Sequence, residues 1–490
     1  MDSSQKSDVR LVERAGQKPT SAEKSAELSL RSPTEHQYRT ASERRAEGKA
    51  LREEVPREAH GGWKPPKDRQ NPVDLLIETN KDRLPSLVPV RHGRMLQSPF
   101  TFYRGAATQM AADLAHTPIS GLKVQACGDA HMLNFGGFAT PERNIVFDIN
   151  DFDETLPAPW EWDLKRLAAS VVLAGRHLRL SESESARAAI ATARSYREHM
   201  ADYASMRALE VWYDRIDVER FLKALPQTAR EFVAHEVEKT RTRTIPEHDY
   251  PKLVEQHGTL PRIKDNPPLI FHPTAEEAPQ LKSGYVDAIA LYRESLAKHV
   301  RVLFDKFYLC DAVVKAVGVG SVGTVCAVGL FLAADNDPLF LQVKEARASV
   351  LEPYAGKSGY ENHGERVVVG QRLMQASSDI FLGWTRGAER STGLRDMYVR
   401  QLRDMKMSAE VEGWDFDILR AYTRMCAWAL ARSHARSGDA AMISGYMGSS
   451  GTFDDAIGEF AVEYADQSER DHRALVKAAR EGRIEVKLEQ

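Results

Sequence analysis

Residues 128–153 bring acidic, amide and imidazole side chains close together in the chain. Such a segment suits two tasks at once. One aspartate can accept a proton from an attacking hydroxyl, while an asparagine and a second aspartate supply the hard oxygen ligands that Mg²⁺ prefers. Taken singly, each of these residues more commonly caps a turn or a helix start. Taken together, their like charges are costly unless a cation offsets them. The candidates are Asp129, His131, Asn134, Asp148, Asp151 and Asp153.

A glycine-rich run forms a second candidate site, Gly318-Val319-Gly320-Ser321-Val322-Gly323, with Lys344 downstream. Glycines let backbone N–H groups approach phosphate oxygens, and a lysine on a neighbouring strand adds a positive charge. A dinucleotide site of the Rossmann type would open a helix directly after the third glycine. Here residues 324–332 are apolar and strand-like, so the glycines are predicted to join two strands, as in a kinase glycine-rich loop. The alternative is a tight hairpin whose lysine lies on the surface.

Hydrophobic spacing predicts the elements that position these two sites. Strands are predicted at 122–126, 144–148, 339–344 and 397–402. Helices are predicted at 73–77, 103–114, 160–178, 286–304, 366–374 and from 416 to the C-terminus, and 183–242 is predicted helical throughout. The uncharged run 316–334 is predicted as a strand, a glycine turn and a strand rather than a membrane span. Glu361 and Glu365, at the start of the 366–374 helix, are candidate partners for Lys344.

The composition is that of a globular protein. Of the 490 residues, 42% are hydrophobic and 28% charged, which excludes collagen, coiled coil and wholesale disorder. Lys and Arg total 67 against 70 Asp and Glu, so the net charge of −3 provides no field that would attract nucleic acid. Four scattered cysteines and a charged N-terminus favour buried thiols in a cytoplasmic protein. Residues 1–60 contain one aromatic, Tyr38, and are predicted to be disordered.

Six runs of this sequence resemble the bacterial domain-of-unknown-function family 2252. The resemblance covers roughly residue 70 to the C-terminus, and its motifs are highly specific. It assigns the chain to a family but implies little about its chemistry. The runs are SPFTFYRGAA (98–107), CGDAHMLNFG (127–136), FDINDFDETLPAPWEWDLKRLAAS (147–170), LFLQVKEARASVLEPY (339–354), GQRLMQASSDIFLGW (370–384) and LARSHARSGDA (430–440).

The run GDAHMLN (128–134) is also similar to the catalytic loop HGDxxxxN of aminoglycoside phosphotransferases and choline kinases. This resemblance implies that Asp129 is the catalytic base and Asn134 a metal ligand. Asp151, followed by Asp163 in a helix, fits the spacing of the family's metal-binding aspartate, with Asp148 and Asp153 as alternatives. The glycine run and Lys344 would then hold the phosphates of ATP, and Gln401-Leu402 would lie near the adenine.

The sequence departs from that kinase pattern in three ways. Cys127 replaces the histidine of the loop, and Asp153 replaces the glycine of a DFG-type triplet. The glycine loop follows the catalytic loop, which is the reverse of the kinase order, so a circular permutation is predicted, with helix 286–304 as the connection. Two predicted helices, 103–114 and 416–437, compete for the position that precedes the catalytic loop.

The expected fold is therefore α+β, a kinase-like two-lobed fold in permuted order. A helical lobe is expected at 61–300, a small antiparallel-sheet nucleotide lobe at 301–410, and C-terminal helices that pack on the helical lobe at 411–490. The expected activity is transfer of phosphate from ATP to an unknown hydroxyl acceptor with Mg²⁺, without nucleic-acid or membrane partners. Catalytic candidates are Asp129 and His131; cofactor-binding candidates are Gly318, Gly320, Ser321, Gly323, Lys344, Glu365, Gln401 and Leu402. A nucleotide-binding pseudoenzyme and a nucleotidyl transferase remain as alternatives.

Overall fold

The computed structural model describes residues 39–242, 250–257, 260–267, 269–272, 278–315, 318–320, 322–387, 395–402 and 406–488. The fold is mixed α/β with antiparallel sheets, which confirms the coarse fold class expected from the sequence. Ser321 lies outside the described residues.

The helices are α1 (Ala41–Ala50), α2 (Pro72–Asn80), α3 (Val88–Leu96), α4 (Pro99–Gly105), α5 (Ala107–Leu114), α6 (Trp160–His177), α7 (Glu182–Tyr203), α8 (Ala208–Tyr213), α9 (Val218–Ala224), α10 (Gln227–Thr242), α11 (Tyr250–Leu253), α12 (Ala278–Ser295), α13 (Lys298–Phe304), α14 (Glu352–Ala355), α15 (His363–Met374), α16 (Phe416–Ser437), α17 (Ala440–Met447) and α18 (Thr452–Arg480). The strands are β1 (Lys123–Ala126), β2 (Phe135–Ala139), β3 (Ile145–Ile149), β4 (Leu156–Pro159), β5 (Ile216–Asp217), β6 (Val254–His257), β7 (Leu260–Ile263), β8 (Ile270–Phe271), β9 (Tyr308–Lys315), β10 (Cys326–Leu332), β11 (Pro338–Glu345), β12 (Gly383–Arg386), β13 (Asp396–Gln401) and β14 (Met407–Ser408).

A helical body is built around α6, which is buried along almost its whole length. α6 contacts α7 and α18, and α16 packs along α7. Trp160 at the start of α6 stacks on Tyr196 of α7, with ring centroids 5.6 Å apart. The apolar spacing that predicts a helix at 160–178 thus corresponds to the central helix of the largest apolar core.

Two small antiparallel pairings hold the acidic segment 127–155. β1 pairs with β4, with Ala126 opposite Leu156. β2 pairs with β3, with Phe135 opposite Ile149. Residues 127–134 therefore run out from β1 to β2, and residues 150–155 return from β3 to β4 alongside them. This register places the two acidic loops next to each other.

A six-stranded antiparallel sheet forms the second part of the molecule, in the order β12-β13-β11-β10-β9-β8. Its two faces belong to separate apolar clusters, because successive side chains of a strand point to opposite sides. On β11, Leu339 and Leu341 pack with α12 and α13, whereas Phe340 packs with β6 and β7 on the other face. The glycine run lies between β9 and β10. Lys344, near the end of β11, lies opposite Cys326 of β10 and Tyr398 of β13.

The elements differ from the predicted ones in several places. The predicted strand–turn–strand at 316–334 is shifted, because β9 ends at Lys315 and β10 begins at Cys326. The helix predicted at 103–114 breaks at Ala106, and that predicted at 286–304 breaks between α12 and α13. β8 precedes residue 301 and yet pairs with β9 of the large sheet, and α12 packs against β12 of the same sheet. The part of the chain that contributes to this sheet therefore begins before residue 301. None of the described helices combines the length and apolar character needed to cross a membrane.

The expectation of disorder through residue 60 is wrong for residues 41–60, and residues 1–38 lie outside the described residues. Thr40 and Glu43 form a capping box at the start of α1. α1 packs on α17, where a Cβ on Gly48 would overlap the carbonyl of Met442. Composition misses this segment because its contacts involve backbone and polar groups, such as the Arg52 Nε hydrogen bond to Tyr446 O at 2.7 Å.

Replacement of Gly48 by alanine should destabilise the protein, although alanine normally favours a helix by about 1 kcal/mol over glycine. The added methyl group would collide with the Met442 backbone and push α1 off α17. A loss of about 1–3 kcal/mol in the free energy of unfolding is expected in urea denaturation. Lys49→Ala, on the exposed side of α1, is the control and should change stability little. A stabilised Gly48→Ala variant would show that α1 does not pack this closely.

Candidate active site

A single cavity brings the glycine run and the acidic segment together. Gly318, Val319 and Gly320 line it on one side, and the acidic segment lines it on the other. Of the predicted site residues, the cavity contains Asp129, His131, Asn134, Asp151, Asp153, Gly318 and Gly320. The chain segments that supply them are far apart in sequence, so their meeting is a property of the fold.

Asp163 of α6 fixes the start of the loop 127–134 by hydrogen bonds to its backbone. Its carboxylate accepts hydrogen bonds from the backbone N–H groups of Cys127 (2.6 Å) and Gly128 (2.9 Å). His434 Nε2 lies 3.1 Å from the same carboxylate. Gly128 has a φ of +83°, and a Cβ there would overlap Glu154 of the neighbouring loop. Glycine at this position therefore allows the two acidic loops to lie in contact.

Arg166 positions the Asp129 side chain. Both its Nε (2.8 Å) and its Nη2 (2.6 Å) donate to Asp129 Oδ1, which leaves Oδ2 without a hydrogen bond among the described residues. The guanidinium itself lies over the ring of Tyr103, 4.1 Å from the centroid. Burial raises the pKa of Asp129, and Arg166 opposes that rise. Asp129 is therefore a fixed carboxylate with one free oxygen at the cavity, a geometry that suits a general base.

Asn134 and His131 lie beside Asp129. Asn134 Nδ2 donates to the carbonyl oxygen of Asp129 at 2.7 Å, so its amide oxygen is left for a ligand. Burial, together with the positive charges of Arg104 and Arg166, lowers the pKa of His131 well below its usual value. Its imidazole is therefore neutral, and its buried Nδ1 has no hydrogen-bond partner among the described residues.

The predicted partner of Lys344 is wrong. Lys344 Nζ forms an ion pair with Asp153 Oδ2 at 2.7 Å instead of with Glu365. Tyr398 OH donates to the other oxygen of Asp153 at 2.5 Å. Asp153 thereby serves as the counter-ion that the buried lysine requires, and its pKa is lowered mainly by Lys344 against the effect of burial. Burial raises the pKa of Glu365, and the neighbouring charge of Glu361 adds to that rise.

Helix α15 contributes an arginine where a glutamate was expected. Arg366 is buried and donates to three backbone carbonyls, those of Asp153, Thr155 and Arg347. These bonds attach the end of the acidic segment to the chain that leaves β11. α15 thus fixes the position of the sheet relative to the loop through backbone contacts.

Asp148 is wrong as a metal-ligand alternative. It is buried, and Arg432 Nη2 lies 2.8 and 2.7 Å from its two oxygens. The backbone N–H of Ala376 donates to the same carboxylate at 3.0 Å. Asp148 lies in β3 and is absent from the cavity lining, whereas Asp151 lies beyond the strand end and lines the cavity. Asp151 carries no ion pair to any described residue.

The remaining cofactor candidates lie away from the cavity lining. Gly323 has a φ of +88° and its carbonyl oxygen accepts the Leu84 N–H at 2.7 Å, so it shapes the loop. Lys344 is 3% exposed and does not line the cavity. Gln401 ends β13 and Leu402 follows it; the backbone N–H of Leu402 donates to Phe340 O at 2.9 Å. Neither of them lines the cavity.

Sequence reasoning missed the basic side chains of this cavity and two carboxylates. Arg83, Arg91, Arg104 and Arg347 line it, as do Glu154 and Glu345. Burial raises the pKa of Glu154 to about 7, and one oxygen accepts the Val350 N–H at 2.7 Å. Arg83 and Arg91 lie outside the predicted helices and outside every quoted run. Arg104, Glu154, Glu345 and Arg347 do lie within the runs that resemble the family, but no chemical motif marks them.

The donor set fits a magnesium ion that is completed by a ligand's phosphates. Within the described residues, no three His, Cys, Asp or Glu side chains form a metal-binding group. Mg²⁺ typically uses one or two carboxylates, several waters and substrate phosphates rather than a full protein cage. The unpaired carboxylate of Asp151 and the amide oxygen of Asn134 lie in the same cavity and are the groups that would hold it.

The chain belongs to the family DUF2252, described as an uncharacterized protein conserved in bacteria, whose family model matches residues 83–478. This match confirms the resemblance to that family. It includes both cavity-lining loops, Lys344 and α15, and it begins after α1 and α2. No curated protein and no solved structure matches the chain.

Replacement of Asp148 by asparagine should reduce stability, because it leaves the guanidinium of Arg432 buried without its counter-ion. Breaking a buried pair on one side costs about 3–5 kcal/mol, which urea denaturation would detect. Asp151→Asn removes a carboxylate without an ion pair in the neighbouring loop and is the matched control. It should change the free energy of unfolding by less than about 1 kcal/mol. Equal effects of the two substitutions would contradict the assigned roles.

Replacement of Glu154 by glutamine should stabilise the protein at pH 8 by about 3 kcal/mol, because folding then no longer buries a carboxylate whose pKa rises from 4.5 to about 7. The unfolded chain ionises Glu154 above pH 4.5, whereas the folded chain does so only near pH 7. The wild type therefore loses stability through that interval relative to the variant. Denaturation at pH 4 and pH 8 measures the difference, with the exposed Glu53→Gln as control. A gain that is the same at both pH values would contradict the raised pKa.

Proposed function

We propose that this protein is a phosphotransferase that uses ATP and Mg²⁺, with a kinase-like fold whose segments occur in permuted order. The observation that carries the proposal is the shared cavity of the glycine loop and the loop containing Asp129, Asn134 and the nearby Asp151. These are the parts that phosphoryl transfer uses, since its catalysis consists mainly of positioning and charge stabilisation.

The order of elements in the large sheet supports the kinase-like interpretation. The glycine run connects β9 to β10, and Lys344 lies on the next strand, β11. A helix, α15, and the strands β12 and β13 follow. Protein kinases likewise have a glycine-rich loop, a lysine on the third strand and a helix that supports it. The loop 127–134, the β2–β3 hairpin and Asp151 correspond in order to a catalytic loop followed by a metal-binding aspartate.

Each residue at the cavity has a role in the proposed reaction. Asp129, held through Oδ1 by Arg166, would orient an acceptor hydroxyl and take its proton on Oδ2. Asn134 and Asp151 would hold Mg²⁺, which supplies neutralisation of phosphate charge when bound. The glycine loop would cover the phosphates through its backbone N–H groups. Neutral His131 would serve as a hydrogen-bonding group on the cavity wall rather than as a charged one.

Asp129→Asn should abolish phosphate transfer while preserving nucleotide binding, because the amide cannot accept the acceptor's proton. A decrease of about 100-fold or more in the turnover of γ-labelled ATP is expected, with little change in affinity for a non-hydrolysable ATP analogue. Asp151→Asn should instead raise the Mg²⁺ concentration needed for binding. Both assays start from water or a panel of hydroxyl compounds as acceptor.

Three results would count against this assignment. Undiminished ATP turnover by Asp129→Asn would remove Asp129 from the role of base. Transfer of label from α-labelled ATP, seen as an added AMP mass on a protein, would identify nucleotidyl transfer. Binding of the analogue by the wild type with no transfer to any acceptor would favour a nucleotide-binding pseudoenzyme.

A further inference from the structure

Three arginines line the cavity without a carboxylate partner. Arg83, Arg91 and Arg104 form no ion pair with any described residue, and the Nε of each is buried without a hydrogen bond. The fourth lining arginine, Arg347, is paired with Glu345 at 3.0 Å. Withdrawing a cation from water without a counter-ion is costly, so one buried and two partly buried arginines around one cavity need an explanation.

The hydrogen bonds of Arg83 and Arg91 orient their side chains without neutralising them. Arg91 is 3% exposed and donates to Asn80 Oδ1 (2.6 Å) and to the carbonyl of Gly105 (2.8 Å). Arg83 Nη1 donates to the carbonyl of Val322 at 2.6 Å. Burial and the neighbouring charge of Arg347 lower the pKa of Arg83 to about 10. The charges of Arg83 and Arg91 are thus fixed in place, and each lies close enough to a further arginine for the like charges to be unfavourable.

The segment 83–104, which contains the three arginines, contacts the glycine loop directly. Leu84 N–H donates to the carbonyl of Gly323, and Arg94 donates to that of Gly318. A Cβ on Gly320 would lie 3.3 Å from the carbonyl oxygen of Arg104. The loop and the arginines therefore enclose one space, and a ligand under the loop would meet the guanidinium groups.

Lys344 cannot readily neutralise that ligand. Its side chain is 4% exposed, its ammonium group is paired with Asp153, and it does not line the cavity. An anionic ligand bound beside the unpaired arginines must therefore find its counter-charges in groups other than Lys344. Guanidinium groups suit this purpose because their planar N–H forks match the oxygens of phosphate.

We propose that Arg83, Arg91 and Arg104 form the polyphosphate-binding subsite of this cavity, in place of Lys344. This inference rests on the proposed function in taking ATP as the ligand. The acids Asp129 and Asp151 line the same cavity and would contact the metal and the acceptor. The arginines would thus carry the affinity for phosphates, and Lys344 would act as a positioning residue that holds Asp153.

The test is the affinity of wild type, Arg104→Met and Arg91→Met for a non-hydrolysable ATP analogue with Mg²⁺ and for adenosine, by calorimetry. Each substitution should weaken binding of the analogue at least about tenfold and leave that of adenosine within about twofold, because it removes charge-assisted hydrogen bonds to phosphate alone. The exposed Arg420→Met is the control and should leave both affinities unchanged. Arg104 makes no hydrogen bond to a described residue through its side chain, so its variant should retain the wild-type unfolding temperature.

A second measurement with inorganic tripolyphosphate separates the inference from the proposed function. Binding of tripolyphosphate by the wild type and its loss in Arg104→Met would support the subsite even if no nucleotide binds, and the proposed function would then fail alone. Unchanged affinity of both arginine variants for the analogue and for tripolyphosphate would overturn the inference. Equal loss of adenosine and analogue binding would also overturn it, since the arginines would then support the cavity rather than the phosphates.

Discussion

The ion pair between Lys344 and Asp153 is the interaction on which the arrangement of the cavity depends. It joins the end of β11 to the acidic segment, two parts of the chain that are 191 positions apart. Both groups are largely withdrawn from water, and a buried lysine without a counter-ion would be strongly unfavourable. The pair therefore defines the position at which the sheet meets the helical body. Arg366 strengthens that junction by binding three backbone carbonyls on both sides of it.

This junction explains why neighbouring aspartates have different roles. Asp148 lies within β3 and is neutralised by Arg432 of α16, so it belongs to the interior of the helical body. Asp153 is neutralised by Lys344 of the sheet. Asp151 lies between these two positions, has no ion pair to a described residue and lines the cavity. One acidic run thus supplies a structural ion pair on each side and a free carboxylate in the middle.

The sequence was sufficient to locate the aspartates and glycines of the cavity, but not its arginines and not the partners of the acidic residues. The helical apolar spacing of α6 and the continuous apolar run of β11 both follow from their burial, which is why both elements could be predicted. Glu361 and Glu365 were the candidate partners of Lys344 because they lie on or just before the next helix. The actual partner, Asp153, lies in another half of the chain, and only the tertiary fold brings the two together. The helix α1 was missed for the same reason, since glycine contacts with α17 leave no mark on composition.

The cavity has an acidic side and a basic side, and the unpaired arginines form the basic one. Most of the lining acids come from residues 129–154, and the unpaired arginines come from residues 83–104 immediately before them. The charged groups from the end of β11, Glu345 and Arg347, pair with each other. The sheet contributes mainly the glycine backbone, which covers the cavity without a large charge of its own. The net charge of −3 hides this separation because it averages over the whole chain. A ligand with phosphates at one end and a metal between them and the acids would satisfy both sides at once, and neither an anion nor a cation alone would do so.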